Sequence, residues 1–448
     1  MASIKQQMLS GVFYTAIARY SGIVISLIIT AILARLLSPD DFGIVAVATV
    51  IINFFGIFAN IGIPAAIIQN KELTNKDMNS IYMFTIWIGG ILSVLFFLSS
   101  WGIATFYQDN RLVLICQLLS ICLFFTAASI VPNALFYRDK DFKFIAFRTC
   151  IVQVIAGVLS ILAAIKGVGL YTLVIQPILS GLLVWIISLK KYPQQLQWTM
   201  GIGSVQKIWN YSMYQFLFSI VNYFTRNLDK LLIGKYMGLT PLGYYEKSYR
   251  LMMLPLQNIT YIITPVMHPI LSDYQNDMNK LGHTQERIMR LLAFIGFPLS
   301  IVLLFCAKEL ILCVFGEQWL PSIPVFQILS LTVGLQLLLS SSGSFYQAGN
   351  DTRGLFICGA FSALTSIIGL LIGIFYFHSL EAIAWCIFIS FCLNFIQCYW
   401  QLYRFMLHRS LLLCYRQLLS PSILSCIIGC TLYLSLIHIS EPTRPRLI

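Results

Sequence analysis

The chain has 448 residues, of which 58% are hydrophobic and only 10% charged, with a formal net charge of +12. Soluble domains carry about 25% charged residues, so a mean hydropathy of +0.82 excludes a soluble globular protein and makes lipid the main solvent. The basic residues stand singly between apolar runs, which excludes a nucleic-acid-binding role.

Lipid offers no partner to backbone N–H and C=O groups, so spans must be helices or a closed barrel. Uninterrupted apolar runs such as Ile81–Ile103 decide for helices, because barrel strands are short and alternate. The fold expected is an all-α polytopic membrane protein. Most of the twelve cysteines, Cys116, Cys122, Cys306 and Cys392 among them, sit inside apolar segments without a CxxC pair. They read as small apolar filler rather than metal ligands or disulfides. Met1–Ser10 is polar and runs straight into a full-length span, so no cleavable signal peptide is expected.

A crossing helix needs about 20 apolar residues. In chain order the expected spans are Gly11–Leu36, Phe42–Ile68, Met78–Phe106, Leu112–Phe136, Phe142–Ile165 and Leu170–Leu189. After a polar stretch come Ile208–Ile233, Leu242–Leu271, Met289–Phe315, Ile323–Gln347, Gly354–Phe377 and Leu380–Leu407, and a thirteenth begins near Leu418. This divides the chain into an N-terminal six-helix lobe (1–189), a cytoplasmic linker (190–207), a C-terminal six-helix lobe (208–407) and the start of an extra helix (408–433). The segment 434–448 reads like the translation of a sequencing-library transposase adapter. It is therefore expected to be an artefact, with the natural chain continuing through further C-terminal helices that truncation has removed.

With the N-terminus cytoplasmic, seventeen Lys and Arg residues fall in inside loops and five outside (Arg35, Arg111, Lys166, Lys235 and Lys308). That asymmetry predicts an N-inside orientation. All loops are short, so no extramembrane domain is expected.

The chain also repeats itself. Ile32–Gly43 contains ARLLSPDDFG, and Leu232–Gly243 reads LIGKYMGLTPLG, aligning Arg35 with Lys235 and Gly43 with Gly243. A weaker echo links Leu135–Asp141 with Phe345–Asp351. A repeat that restarts after six helices restores the same orientation. Two parallel lobes around a central cavity are therefore expected, an arrangement suited to alternating access.

Ionisable groups at membrane depth are costly and tend to be functional. Arg19 lies in the first span with no acid in that span. Asn222, Arg226, Asp229 and Lys230 fall at i, i+4, i+7 and i+8, one helical stripe, and Glu246, Lys247 and Arg250 open the eighth span. Buried ion pairs, Arg226 with Asp229 and Glu246 with Arg250, are one reading of these. The other is a net positive cavity for an anion, in which Arg19, Arg226, Lys230, Lys247 and Arg250 bind substrate and Arg can grip phosphate oxygens with two parallel hydrogen bonds.

Together the motifs at 32–43, 227–243 and 135–144 resemble the multidrug/oligosaccharidyl-lipid/polysaccharide flippase superfamily. The nearest branch is that of the polysaccharide and lipopolysaccharide biosynthesis exporters, such as O-antigen flippases. The resemblance implies translocation of an undecaprenyl-diphosphate-linked oligosaccharide across the bacterial cytoplasmic (inner) membrane, with the first-helix Arg19 contacting the diphosphate. It implies secondary transport driven by an ion gradient or membrane potential, with Asp229 or Glu246 at any coupling site and no cofactor or metal. Membrane lipids, a polysaccharide polymerase and glycosyltransferases of the same pathway are the implied partners. A small-molecule antiporter of the same architecture is the alternative, disfavoured by the cavity's sign. An integral polymerase or acyltransferase is a more distant one, since long loops and a histidine at membrane depth are both missing.

Overall fold

The computed structural model describes residues 4–60, 63–69, 73–194, 220, 223–224, 226–272 and 277–440. Among these residues there are helices and turns and no strands. The chain clusters into two compact units, Met1–Gly243 and Tyr244–Ile448.

The first unit is built from α1 (Ile4–Leu36), α2 (Pro39–Asn60), α3 (Ile63–Gln69), α4 (Asn75–Tyr107), α5 (Arg111–Ala128), α6 (Ile130–Arg138), α7 (Phe142–Ile165), α8 (Thr172–Lys191) and α9 (residues 226–236). α1 packs on α7, α7 on α8, α8 on α5, and α5 on both α2 and α4. Small residues set the closest approaches. A Cβ on Gly157 of α7 would stand 2.0 Å from Ile29 Cδ1 of α1, and one on Gly89 of α4 would stand 2.6 Å from Ala127 Cβ of α5. Without a driving force to bury apolar surface from water, membrane helices associate through this kind of tight contact.

The second unit holds the body of α10 (Leu239–Ser272), α11 (Met278–Phe305), α12 (Ala307–Val314), α13 (Ser322–Ala348), α14 (Thr352–Ile372), α15 (Leu380–Gln401) and α16 (Leu411–Ser440). α11 packs on α13 and α16, and α15 packs on α13 and α14. Gly296 and Gly334 let α11 and α13 touch backbone to backbone, a Cβ on Gly296 falling 3.0 Å from Gly334 Cα. The core here is aromatic: Phe345, Tyr346, Tyr399 and Tyr403 are all fully or almost fully buried.

Eleven helices among the described residues are long and apolar enough to cross a membrane. They match the first six expected spans, the ninth to twelfth, and the C-terminal one. The seventh expected span lies largely outside the described residues. The eighth forms the helix α10, which carries Glu246, Lys247 and Arg250 in its first turns and is not among the eleven.

Three boundaries differ from expectation, each for a local reason. The second span, expected as Phe42–Ile68, is a helix that ends at Asn60, followed by the short α3 carrying Pro64. The fourth is interrupted at Ser129, three residues before Pro132. Proline has no N–H for the Ala128 carbonyl and its ring crowds that position. The ninth, expected at Met289–Phe315, instead begins at Met278 after the N-cap Asp277 and ends at Phe305. Its first turns are amphipathic, burying Leu281, Gln285 and Met289, so hydropathy alone missed them. At the C-terminal end, α16 runs through Ser440 and so enters the segment expected to be an artefact; residues 441–448 lie outside the described set.

Candidate functional site

The ARLLSPDDFG motif is a helix start. Ser38 is the cap: its N–H and its hydroxyl donate to Asp41 Oδ2 at 2.9 and 2.7 Å, and Asp41 N–H donates back to Ser38 Oγ at 3.3 Å. Pro39 at the first helical position and Asp40 and Asp41 in the first turn complete a strong N-terminus. Arg35 lies in the last turn of α1, where a cation suits the helix's negative end.

The second copy of the motif packs on the first. A Cβ on Gly43 would stand 1.8 Å from the Leu239 carbonyl oxygen, and one on Gly243 would stand 2.0 Å from the Pro39 carbonyl oxygen. Thr240 Oγ1 donates to Asp40 Oδ1 at 2.9 Å. Asp40 also pairs with Arg111 at 2.7 Å, and Arg111 pairs with Asp109 at 2.6 Å. The Asp109 carboxyl ionises below its ordinary range because the Arg111 guanidinium hydrogen-bonds it, against a smaller opposing effect of burial.

α9 is fastened to the same region. Tyr107 OH donates to Leu231 O at 3.2 Å, Tyr223 OH to Val50 O, and Lys235 Nζ to Phe106 O, with Lys235 4.4 Å from the Phe106 ring centre. On α9 Arg226 is exposed, while Asp229 and Lys230 are half-buried; Asp229 Oδ1 accepts from Lys230 N–H at 2.8 Å. Asn222 lies outside the described residues.

Arg19 is half-buried on α1. One turn on, α1 closes against α7, where a Cβ on Gly22 would stand 3.1 Å from Gln153 Oε1. That amide oxygen is buried and accepts no hydrogen bond among the described residues. Arg19, Arg226, Asp229 and Lys230 thus belong to the first unit.

Glu246, Lys247 and Arg250 belong to the second unit. Lys247 is only 2% exposed, with its Nζ 5.9 Å from the Phe315 ring and 6.0 Å from the Trp319 ring. Glu246 is half-buried and Arg250 exposed. Ser248 Oγ donates to Ser322 O at 2.9 Å, so the first turns of α10 are tied to the start of α13.

Two charged clusters escaped the sequence reading. Arg148 of α7, counted there as a loop cation, is 8% exposed. Its Nη1 donates to Asn133 Oδ1 at 2.7 Å and Ser188 Oγ at 2.6 Å, and its guanidinium lies 5.1 Å from the Phe136 ring centre. Its Nε is buried with no hydrogen-bond partner among the described residues. In the second unit Glu286 pairs with Arg409 at 2.8 Å, and His283 lies 3.7 Å from the same carboxylate. The available signal was register: Glu286 follows Gln285, which shares a stripe with Leu281, Met289 and Leu292. No group of three His, Cys, Asp or Glu residues among the described set could hold a metal.

Comparison with known proteins gives this arrangement its context. The chain is 27% identical over 354 residues to the teichuronic acid biosynthesis protein TuaB of Bacillus subtilis (strain 168), covering 77% of this chain and 72% of that protein. It is 25% identical over 355 residues to the lipopolysaccharide biosynthesis protein WzxC of Escherichia coli (strain K12), covering 77% and 71%. Among solved structures the fold is similar to the lipid II flippase MurJ in an inward closed conformation, with a TM-score of 0.71 at 14% identity over 96% of this chain and 98% of that one. A multidrug resistance MATE family transporter of the MOP superfamily gives a TM-score of 0.64 at 12% identity, over 92% and 96%. A family described as polysaccharide biosynthesis protein matches residues 32–324, beginning at the first residue of the first motif copy and running past the second. This multi-pass helical membrane protein belongs to that polysaccharide biosynthesis family.

Proposed function

We propose that the chain is a flippase that moves a lipid-linked oligosaccharide, a repeat unit of a cell-surface polysaccharide, across the bacterial cytoplasmic membrane. The observation that carries this is the family match over residues 32–324. The names of relatives support it: teichuronic acid and lipopolysaccharide biosynthesis proteins and a succinoglycan biosynthesis transport protein from Rhizobium meliloti. The antiporter reading shares the fold, but its support is fold likeness alone at 12% identity.

The cargo has an apolar tail that stays in the bilayer and an anionic diphosphate that cannot cross hydrocarbon unassisted. Arg19, with Arg226, Lys230, Lys247 and Arg250, supplies the positive charge in this reading. Arg19 is the main diphosphate contact, because its span holds no acid. Asp229 and Glu246 are the acids available for coupling transport to an ion gradient or membrane potential, and no cofactor is invoked. The N-terminus is cytoplasmic, on the basic-residue asymmetry, and the glycosyltransferases and polymerase of the pathway act before and after this step.

The test is complementation of a strain lacking its own polysaccharide flippase, with membrane abundance measured alongside. The unaltered chain should restore surface polymer. Arg19→Ala should abolish export at normal abundance, and Arg19→Lys should retain part of it, since charge survives while the two-pronged grip is lost. Normal export by Arg19→Ala, or loss only through disappearance of the protein, overturns the residue assignment.

A further inference from the structure

A group of lysines in the first unit lies apart from the charges assigned to the cargo. The end of α8 closes on the turn that starts α7. Phe136 stacks on Phe144 with ring centres 5.0 Å apart, and Tyr192 meets Phe136 edge-on at 4.8 Å. Tyr192 OH donates to Asp139 Oδ2 at 2.5 Å. Lys191 pairs with Asp141 at 2.5 Å and lies 4.2 Å from the Phe144 ring centre.

This closure brings Lys190 and Lys191 to the same end of the unit as Lys140 and Lys143, and all four are exposed. The two acids among them are already engaged: Asp139 by Tyr192, and Asp141 by Lys191 and the Phe144 N–H. Lys143 lies within electrostatic reach of the same Asp141, so one carboxylate is shared between two ammonium groups. Lys140, Lys143 and Lys190 enter no ion pair among the described residues. The surface keeps a surplus of positive charge, the kind that a phosphate headgroup neutralises.

α7 carries this surface down into the membrane. Lys143, Phe147, Ile151, Val154 and Val158 recur every three or four residues, which places them on one helical face. All are exposed, while α1 and α8 pack on other sides of the helix. The apolar part of the stripe, from Phe147 to Val158, runs about 16 Å at about 1.5 Å per residue. One leaflet of hydrocarbon is about 15 Å deep. A fork of cations above an apolar track one leaflet long has the outline of a phospholipid.

We propose that this surface binds an acidic phospholipid, its phosphate held among Lys140, Lys143, Lys190 and Lys191 and an acyl chain laid along Phe147–Val158. A zwitterionic lipid brings its own ammonium group into the lysines and is disfavoured. Such binding goes beyond the flippase reading and does not depend on it.

The test measures phosphatidylglycerol and phosphatidylcholine retained by the full chain in detergent, by native mass spectrometry. Phosphatidylglycerol should be held at least tenfold more tightly. Lys140→Gln, Lys143→Gln and Lys190→Gln together should erase that preference, one lysine at an acidic surface being worth about fivefold. These side chains are exposed and unpaired, so the fold should survive. Removing as much charge from the second unit, with Arg287→Gln, Arg290→Gln and Lys308→Gln, should change binding less than twofold. Asp141→Asn should tighten binding, because asparagine caps a helix as well as aspartate and Lys191 is released. Inorganic phosphate should displace little of the lipid. A triple lysine variant that still prefers phosphatidylglycerol overturns the proposal, as does an equal loss in the second-unit variant or weaker binding by Asp141→Asn. Full displacement by inorganic phosphate also overturns it, since the site would then hold an ion and no acyl chain.

Discussion

The turn between α6 and α7 and the turn between α13 and α14 are the same object built twice. In the first, Asp139 N–H bonds Leu135 O at 2.9 Å, Asp141 N–H bonds Phe136 O at 3.0 Å, and Lys140 is left-handed with φ 59°. In the second, Gly349 N–H bonds Phe345 O at 2.9 Å, Asp351 N–H bonds Tyr346 O at 2.9 Å, and Asn350 has φ 55°. Asp141 and Asp351 each cap the next helix, accepting from Phe144 N–H at 3.3 Å and Gly354 N–H at 2.8 Å. Behind the turns the copies part company. Arg148, among Phe136 and Ser188, stands where the second copy has Cys358, among Tyr346 and Cys398. The backbone accommodates either a buried arginine or a cysteine at that point.

The sharpest way to break this comparison is to exchange the two centres. Cys358→Arg should destabilise the protein by about 4 kcal/mol, the cost of an uncompensated buried charge. Arg148→Met should cost no more than about 2 kcal/mol, since it gives up two hydrogen bonds but also a desolvated ion. Thermal unfolding in detergent checks both; equal losses would mean that the first copy does depend on its cation.

A slightly smaller effect is expected at the other repeat. Gly43→Ala and Gly243→Ala each push a methyl into a backbone carbonyl and should each cost about 3 kcal/mol. The reciprocal geometry demands that the two losses agree; a markedly milder change at either glycine would show that the pairing is not mutual.

At the turns themselves the effects shrink. Asp351→Ala should cost about 1 kcal/mol for a lost cap. Asp141→Ala should cost somewhat more, because Asp141 also pairs with Lys191 at 2.5 Å. The Asp141 carboxyl ionises below its ordinary range: burial pushes it up, but the Lys191 ammonium and the Phe144 N–H outweigh that. Its contribution should therefore be full above the unfolded value near about 3.9 and fade as pH falls through the lower folded value. Unfolding of the two alanine variants across pH 3 to 6 should thus converge at the acid end. Least of all, Lys140→Asn, copying Asn350, should gain about 0.5 kcal/mol by easing a left-handed backbone, read as a small rise in melting temperature.

Much of the fold was legible because lipid makes hydropathy nearly sufficient: Phe142–Ile165 came out with both ends as expected. The weak echo between 135–141 and 345–351 was also readable, since Asp141, Asn350 and Asp351 serve a turn geometry that depends on local sequence. The charged centres were not. Arg148 takes its meaning from Ser188, 40 positions away, and Glu286 from Arg409, more than a quarter of the chain away. The start of α11 was hidden because Gln285 is buried on a helical face that hydropathy scores as polar. The rings beside Lys247, those of Phe315 and Trp319, are likewise some 70 positions further on.

That lysine also marks where the two copies differ most in length. The motif copies are separated by 200 positions at Gly43 and Gly243, but by 210 at Asp141 and Asp351. Most of the surplus falls in one place. In the first copy α4 ends at Tyr107 and α5 begins at Arg111, whereas in the second α12 and the turn Glu317–Trp319 intervene between α11 and α13. Phe315 and Trp319 belong to this longer connection, so the aromatic cradle of Lys247 has no counterpart in the first copy. A relative with the shorter connection in both copies would lack the rings beside that lysine.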